Sequence, residues 1–252
     1  MVGPSTLGPA GVVALAPQTP GTPRGIRYAA LALSTAAVVL SGCGGAAAST
    51  EITTTAPGDS PRTVRYMAQP PDPAQARGLL AALPIRVEDN GAHYDRDDWG
   101  DWRTRAGCDT REQVLIRDGQ DVTTGANCTI TGGRWTSTYD GISHTDPADL
   151  EIDHRVPVRE AQRSGARGWT REQRAEFYND LANLTPITAS VNSSRSDDDA
   201  GRWRPPDPGA WCGFATAYIA TKHAYALHID GAERDGLTAM LNACPADQGG
   251  AR

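Results

Sequence analysis

The sequence predicts an α+β fold in a single domain. A hydrophobic share of 39% allows a packed core, whereas 27 glycines and 18 prolines among 252 residues indicate long loops. One segment, 149–158, alternates apolar and polar residues as a strand does, and the segments 170–181, 211–228 and 237–244 have helical spacing. The chain is therefore expected to combine a small sheet with a larger helical part.

The first 43 residues have the pattern of a lipoprotein signal peptide. Arg24 and Arg27 precede 13 mostly apolar residues, a run that is too short to span a bilayer but typical of a signal sequence. The tetrapeptide LSGC that ends at Cys43 resembles the bacterial lipobox, so we expect Cys43 to be acylated and to anchor the chain to the membrane outside the cytoplasm. The 23 residues before Arg24 are long for such a leader and suggest a start codon further downstream.

The remaining chain divides into a linker and a disulfide-bonded domain. Residues 44–63 are rich in Ala, Thr, Ser, Gly and Pro, which predicts a flexible linker before a domain at 64–252. With Cys43 assigned to lipid, four cysteines remain, and an exported chain favours disulfides over zinc, for which no CxxC or HxxxH spacing is present. Pairing of sequence neighbours predicts two bonds, Cys108–Cys128 and Cys212–Cys244.

The first half of the domain contains short elements around turns. The segment 76–87 has the composition of a short apolar helix that ends before Pro84. The segments 111–117 and 134–139 have the length of strands or of short helices, and their residues do not decide between the two.

The second half carries clearer signals for where elements begin. Thr170 and Gln173 form a capping-box pattern that starts a helix, and Asp230 with Glu233 fits the cap of the last helix. The segment 184–188 is β-branched but contains a proline, so a strand there is expected at a sheet edge.

Four polar residues of this half have side chains suited to phosphodiester hydrolysis: Asp153, His154, Asn183 and Asn192. Asp153 and Asn192 offer hard oxygen ligands for a single Mg²⁺ ion, and the imidazole of His154 is largely neutral at pH 7 and accepts a proton. The amide of Asn183 suits a role in tying the long loop and orienting His154. Because neighbours on a strand face opposite ways, Asp153 and His154 share one site only where the strand ends or bulges.

These residues lie in motifs that resemble a known family. The runs DHRVP at 153–157, NDLANL at 179–184 and NSSR at 192–195, followed by Trp203, are similar to the HNH endonucleases with a ββα-metal fold. The similarity is strongest to the DUF1524 branch, which also forms the C-terminal part of GmrSD-type restriction enzymes. Further motifs of its secreted members are GCDTREQVLIRD, WTSTYDG and GRWRPP. The resemblance implies a ββα-metal (His-Me finger) core within a mostly helical, disulfide-stapled domain.

The resemblance also implies a role for each residue. Asp153 and Asn192 stand at the metal-ligand positions, His154 at that of the general base and Asn183 at that of the loop-orienting asparagine. Many relatives carry His where this chain has Asn192. The implied cofactor is one divalent metal ion, Mg²⁺ or alternatively Mn²⁺.

Arginines are the expected contacts for the substrate phosphate. Relatives often have Lys-Gly-Asp after the second metal ligand, and here Arg195 takes the place of that Lys, so we assign Arg195 and Arg155 to phosphate binding. Arg155, Arg159, Arg163 and Arg167 recur at every fourth position and would form a basic ridge if this segment were helical. The formal net charge of −6 nevertheless excludes a generally basic nucleic-acid coat.

The sequence therefore favours a metal-dependent, non-specific endonuclease that cuts DNA or RNA outside the cytoplasm. Sequence specificity is not expected, because no base-reading motif is evident. Two alternatives remain: a hydrolase of another anionic polymer, such as a teichoic acid, and a catalytically silent lipoprotein that binds at the cell surface.

Overall fold

A computed structural model describes residues 51–52, 64–65, 69–90 and 93–245. The predicted signal peptide, the acylated Cys43 and most of the predicted linker lie outside the described residues. Strand β1 (Glu51–Ile52) pairs antiparallel with strand β2 (Val64–Arg65).

The described part combines helices with small antiparallel sheets, so the α+β prediction is confirmed. The helices are α1 (Pro73–Ala82), α2 (Thr110–Asp118), α3 (Val158–Arg163), α4 (Arg171–Tyr178), α5 (Ala189–Arg195), α6 (Trp211–Ala224) and α7 (Gly231–Leu241). The further strands are β3 (Gln120–Thr124), β4 (Ile130–Thr136), β5 (Ser143–His144), β6 (Leu150–His154) and β7 (Leu184–Thr188). No helix of this part is long and apolar enough to cross a membrane.

Strands β6 and β7 and helix α5 form the unit that carries the candidate site. The two strands pair antiparallel in unbroken register, from Leu150 opposite Thr188 to His154 opposite Leu184. Because this sheet has two strands, both are edge strands, and the proline in β7 is tolerated as predicted. Helix α5 begins directly after β7 and packs against both strands.

The long connection from β6 to β7 contains α3 and α4. Thr170 and Gln173 make both hydrogen bonds of the predicted capping box, so α4 begins where the sequence indicates. It ends at Tyr178, before the predicted limit of residue 181, and a 3-10 turn at Leu181–Asn183 leads into β7.

The main hydrophobic core lies between α1, α6 and α7. The buried apolar side chains of these helices include Leu80, Phe214, Ile219, Leu237 and Met240. The Cys212–Cys244 disulfide joins the start of α6 to the segment after α7. Asp230 accepts a hydrogen bond from the backbone of Glu233 at the start of α7, as the sequence predicts.

A second, smaller core supports the other end of β6. Leu115, Trp135 and Leu150 pack together, and the indole Nε1 of Trp135 donates a hydrogen bond to the carbonyl of Leu115 at 2.7 Å. Gly119 permits this contact, because a Cβ there would lie 2.4 Å from the same indole nitrogen. The predicted Cys108–Cys128 disulfide joins the segment before α2 to the β3–β4 hairpin.

Two expectations about local structure are corrected or settled by the fold. The sequence left the segments 111–117 and 134–139 undecided between strand and helix. The first is helical, with Asp109 as the N-cap of α2, whereas residues 134–136 of the second belong to strand β4. The basic ridge is wrong, because Arg155 lies between β6 and α3, outside any helix. Arg163 also turns inward, where its side chain is 10% exposed and pairs with Glu160.

Candidate active site

Asp153 lies near the end of β6 and is almost fully buried, with 6% of its surface exposed. Its Oδ2 accepts hydrogen bonds from the hydroxyl of Tyr139, at 3.1 Å, and from the guanidinium of Arg195. Its Oδ1 accepts no hydrogen bond from the part of the chain that the structure describes. Burial raises the pKa of Asp153 above its ordinary value, and the attraction of Arg195 opposes that shift. One oxygen is thus held in place and the other is left open.

His154 ends β6 with its imidazole among aromatic rings. Its ring is nearly parallel to that of Trp102, with centroids 5.7 Å apart, and to that of Phe177 at 6.3 Å. Its Nε2 lies 2.9 Å from the carbonyl oxygen of Tyr178. Because a carbonyl only accepts, the proton of the neutral ring belongs on Nε2 and the lone pair on Nδ1. Burial lowers the pKa of His154 to about 3, so the ring is neutral at physiological pH.

Asn183 is fully buried and connects the turn before β7 to the segment after His154. Its Oδ1 accepts from the backbone N–H of Val156 at 2.9 Å, and its Nδ2 donates to the carbonyl of Val156 at 3.2 Å. Its own carbonyl accepts from the N–H of Arg155 at 2.7 Å. These three bonds fix the backbone immediately after His154.

Arg195 lies in the interior, which corrects its assignment to substrate phosphate. Its side chain is fully buried and donates to Asp153 and to the backbone carbonyls of His154 and Arg155. Its guanidinium carbon lies 5.2–5.8 Å from the ring centroids of Tyr139, Trp203 and Phe214. A cation held by a carboxylate and aromatic faces is not available to a substrate on the surface.

Arg155 is half-buried and reaches toward the turn that contains Asn183. Its Nη1 donates to the carbonyls of Ala182 and Leu184, at 3.0 and 2.8 Å. These bonds show a structural role for Arg155, and its contact with substrate phosphate stays a prediction.

Asn192 lies on α5, one turn before Arg195 and partly exposed. Its Nδ2 donates to Oε2 of Glu151 at 2.5 Å. Glu151 is exposed and lies two residues before Asp153, so both carboxylates belong to the same face of β6. The face of α5 that carries Asn192 and Arg195 therefore lies along the face of β6 that carries Glu151 and Asp153.

Three residues contact the predicted site residues although the sequence assigned them no role there: Tyr139, Trp102 and Glu151. Tyr139 lies in the WTSTYDG motif, but nothing local to that motif indicates a contact with Asp153. Burial raises the pKa of Tyr139, so its hydroxyl keeps the proton that it donates. The position of Glu151 could have been predicted, because residues two apart on a strand face the same side of the sheet and Glu151 is two residues before Asp153.

A cluster of acidic residues lies outside the site of Asp153 and His154, and α3 contributes one of its members. In the described ranges, the one set of three His, Cys, Asp or Glu donors within 4.8 Å of each other is Glu88, Glu160 and Asp199. Lys222 lies fully buried with its Nζ 2.6 Å from Glu160, and 2.9 Å from Glu233. Burial alone would lower the pKa of Lys222, but the attraction of the two glutamates outweighs it and raises that pKa.

Cationic side chains of the protein already lie among the carboxylates of this cluster. Besides Lys222, Arg163 pairs with both Glu160 and Glu88, at 3.0 and 3.4 Å. Resident cations thus occupy the positions that a metal ion would fill, and the cluster fits an internal ionic network better than a metal centre.

Comparisons with known proteins agree with the resemblance of the motifs. Residues 109–237 match the family described as GmrSD restriction endonucleases, C-terminal domain. The chain is also similar to an "Uncharacterized secreted protein" of Arthroderma benhamiae, with 41% identity over 177 residues, which cover 69% of this chain and 87% of the fungal protein. No solved structure matches the chain. The match runs from α2 into α7 and includes Asp153, His154, Asn183, Asn192 and Arg195, and the chain therefore belongs to the family of the C-terminal domain of GmrSD restriction endonucleases.

Proposed function

We propose that this protein is a metal-dependent, non-specific endonuclease that hydrolyses nucleic-acid phosphodiester bonds outside the cytoplasm. The observation that carries the proposal is the pair of open atoms at the end of β6, Oδ1 of Asp153 and Nδ1 of His154. Every other polar contact of these two side chains in the described residues serves to fix them. An open carboxylate oxygen is suited to bind a cation, and an open imidazole lone pair is suited to accept a proton.

The residues present fit one divalent ion. Asp153 contributes an open carboxylate oxygen, and the amide oxygen of Asn192 accepts no hydrogen bond from the described residues. Asp153 and Asn192 would hold Mg²⁺ or Mn²⁺, both of which accept hard oxygen ligands and keep positions for water and phosphate. When bound, such an ion neutralises the charge that develops on the phosphoryl group and on the leaving oxygen.

His154 would act as the general base through Nδ1. The low pKa keeps the ring neutral and therefore able to accept a proton from the attacking water. A bound phosphodiester brings a negative charge close to the ring, which favours the imidazolium and raises that pKa toward the working pH. The carbonyl of Tyr178 holds the N–H that then carries part of the positive charge.

The order of β6, β7 and α5 supports a ββα-metal core of the HNH type. The two antiparallel strands are followed directly by the helix, and the proposed ligands come from β6 and α5. Asn183 closes the loop between the strands against the backbone after His154.

Action outside the cytoplasm is supported by two observations. The fungal relative is described as secreted, and the chain contains two disulfides, which persist in oxidising compartments. Acylation at Cys43 would keep the enzyme attached to the membrane, where DNA or RNA from the surroundings is its substrate.

Plasmid nicking in the presence of Mg²⁺ tests the proposal. Wild type should nick supercoiled DNA, and His154→Ala should lose that activity while the control His223→Ala, at an exposed histidine, keeps it. EDTA should abolish nicking in all variants. A wild type that leaves DNA and RNA intact but degrades a teichoic acid would replace the proposal with the polymer hydrolase, and binding without turnover would indicate the silent lipoprotein.

A further inference from the structure

We propose that Glu151 is a positioning residue of the metal site, which fixes the amide of Asn192 so that its oxygen faces the ion. The inference rests on the proposed nuclease function and adds a residue that the family motifs do not assign. Its basis is one hydrogen bond between two side chains on facing elements, Oε2 of Glu151 on β6 and Nδ2 of Asn192 on α5.

The contact belongs to a pair of polar links that set α5 against β6. Glu151 and Asp153 are two residues apart on a strand and share a face, whereas Asn192 and Arg195 are three apart on a helix and share a face. Glu151 bonds Asn192, and Asp153 bonds Arg195. The Asp153–Arg195 bond is buried and holds the helix in place. The Glu151–Asn192 bond lies at the exposed end, where it orients the side chain of Asn192.

The chemistry of the two groups determines that orientation. An ionised carboxylate only accepts hydrogen bonds, so the NH₂ of Asn192 must face Glu151. The amide oxygen then points away from Glu151 and is free to ligate. Without the carboxylate, the amide of a partly exposed asparagine rotates between two orientations, one of which presents the NH₂ to a cation and repels it. Carboxylates that orient metal ligands in this way are common next to metal sites.

Glu151 also carries a charge that no side chain of the described residues pairs. It is absent from the ion pairs of the described ranges, although the other acid on this face, Asp153, is paired with Arg195. Its charge therefore adds a general attraction for cations, and the test must separate that attraction from orientation.

A double-mutant cycle with Mn²⁺ binding as the readout makes this separation. Titration calorimetry on the full chain should give about 10-fold weaker Mn²⁺ binding for Glu151→Ala. Glu151→Gln, which keeps an acceptor for the NH₂ but lacks the charge, should lose less. In an Asn192→Ala background, Glu151→Ala should change the affinity less than 2-fold, because the amide that it orients is gone. Asp235→Ala, at an exposed acid on α7, is the matched control and should bind as wild type does.

The outcomes distinguish this inference from the proposed function. The positioning role would be overturned if Glu151→Ala lowered the Mn²⁺ affinity equally in the wild-type and Asn192→Ala backgrounds, or if the single variant bound Mn²⁺ as wild type does. Either result would leave the proposed function standing, provided that wild type nicks DNA. A wild type that neither binds Mn²⁺ nor nicks DNA would overturn both. The melting temperature of Glu151→Ala should equal that of wild type, since the residue is exposed, and a large drop would identify its role as structural.

Discussion

Arg195 and Asp153 form an ion pair in the interior, where the guanidinium of α5 meets the carboxylate that we propose as a metal ligand. The pair leaves Asp153 with a single open oxygen. It also means that the two residues depend on each other for stability, because a buried charge without its partner is costly.

Replacing Asp153 should therefore affect stability as well as metal binding. Asp153→Ala leaves the guanidinium of Arg195 buried without its carboxylate, and we expect a loss of about 3–5 kcal/mol in the free energy of unfolding. Urea denaturation measures it, with the surface variant Asp235→Ala expected within about 0.5 kcal/mol of wild type. If Asp153→Ala unfolds at the same urea concentration as wild type, the buried pair does not contribute as described.

Asn183→Ala should slow the enzyme without removing its metal site. The variant leaves the backbone N–H and carbonyl of Val156 without their side-chain partners, at a cost of about 1–3 kcal/mol. Nicking should persist at a reduced rate, and Mn²⁺ affinity should stay near that of wild type, whereas Asp153→Ala should lose it. Equal Mn²⁺ binding by folded Asn183→Ala and Asp153→Ala would contradict the roles assigned to both residues.

The stability of the protein should fall as the pH rises through the titration range of Glu88. Burial, followed by repulsion from Glu160, raises the pKa of Glu88 from its ordinary 4.5 to about 8. Between these values the folded protein holds a proton that the unfolded chain releases, so the free energy of unfolding decreases with increasing pH. The pKa of Glu233 is raised to about 7 and acts in the same direction.

Glu88→Gln tests this pH dependence, because glutamine imitates the protonated carboxyl and does not titrate. Its melting temperature should match that of wild type below pH 4.5 and exceed it at pH 8, by about 2–4 °C for each kcal/mol gained. Glu172→Gln, at an exposed glutamate, serves as control and should follow wild type throughout. A difference between Glu88→Gln and wild type that does not grow with pH would show that Glu88 is ionised in the folded protein.

The Cys212–Cys244 bond should stabilise the helical core. It joins residues 32 apart in sequence at the two ends of the α6–α7 pair. The double variant Cys212→Ser/Cys244→Ser should lose about 2–4 kcal/mol, because the unfolded chain is no longer constrained. Thermal unfolding measures the loss, and dithiothreitol should lower the melting temperature of wild type by more than that of the double variant, in which only Cys108–Cys128 is left to reduce.

Local patterns predicted several elements correctly for physical reasons that operate over a few residues. The capping box of Thr170 and Gln173 and the cap at Asp230 depend on side chains that bond the nearest backbone. The proline of β7 restricts that strand to a sheet edge, and the pairing of neighbouring cysteines held for both bonds.

The interior position of Arg195 could not be predicted in this way. Its environment is formed by Tyr139, Trp203 and Phe214, which come from segments far apart in sequence. From its sequence position alone, an arginine three residues after a proposed metal ligand is expected to contact substrate. Only the tertiary structure shows that these rings bury it. The same limit applies to the arginine ridge, whose even spacing carries no information about where the strand ends and the helix begins.

The position of Lys222 has a practical consequence for work with this protein. It is the only lysine of the chain, and it is fully buried between Glu160 and Glu233. In the folded state no lysine side chain is therefore open to amine-reactive dyes, crosslinkers or coupling resins. A succinimidyl ester that modifies Lys222 would report the opening of the α3–α6–α7 interface, which makes this residue a built-in probe of unfolding.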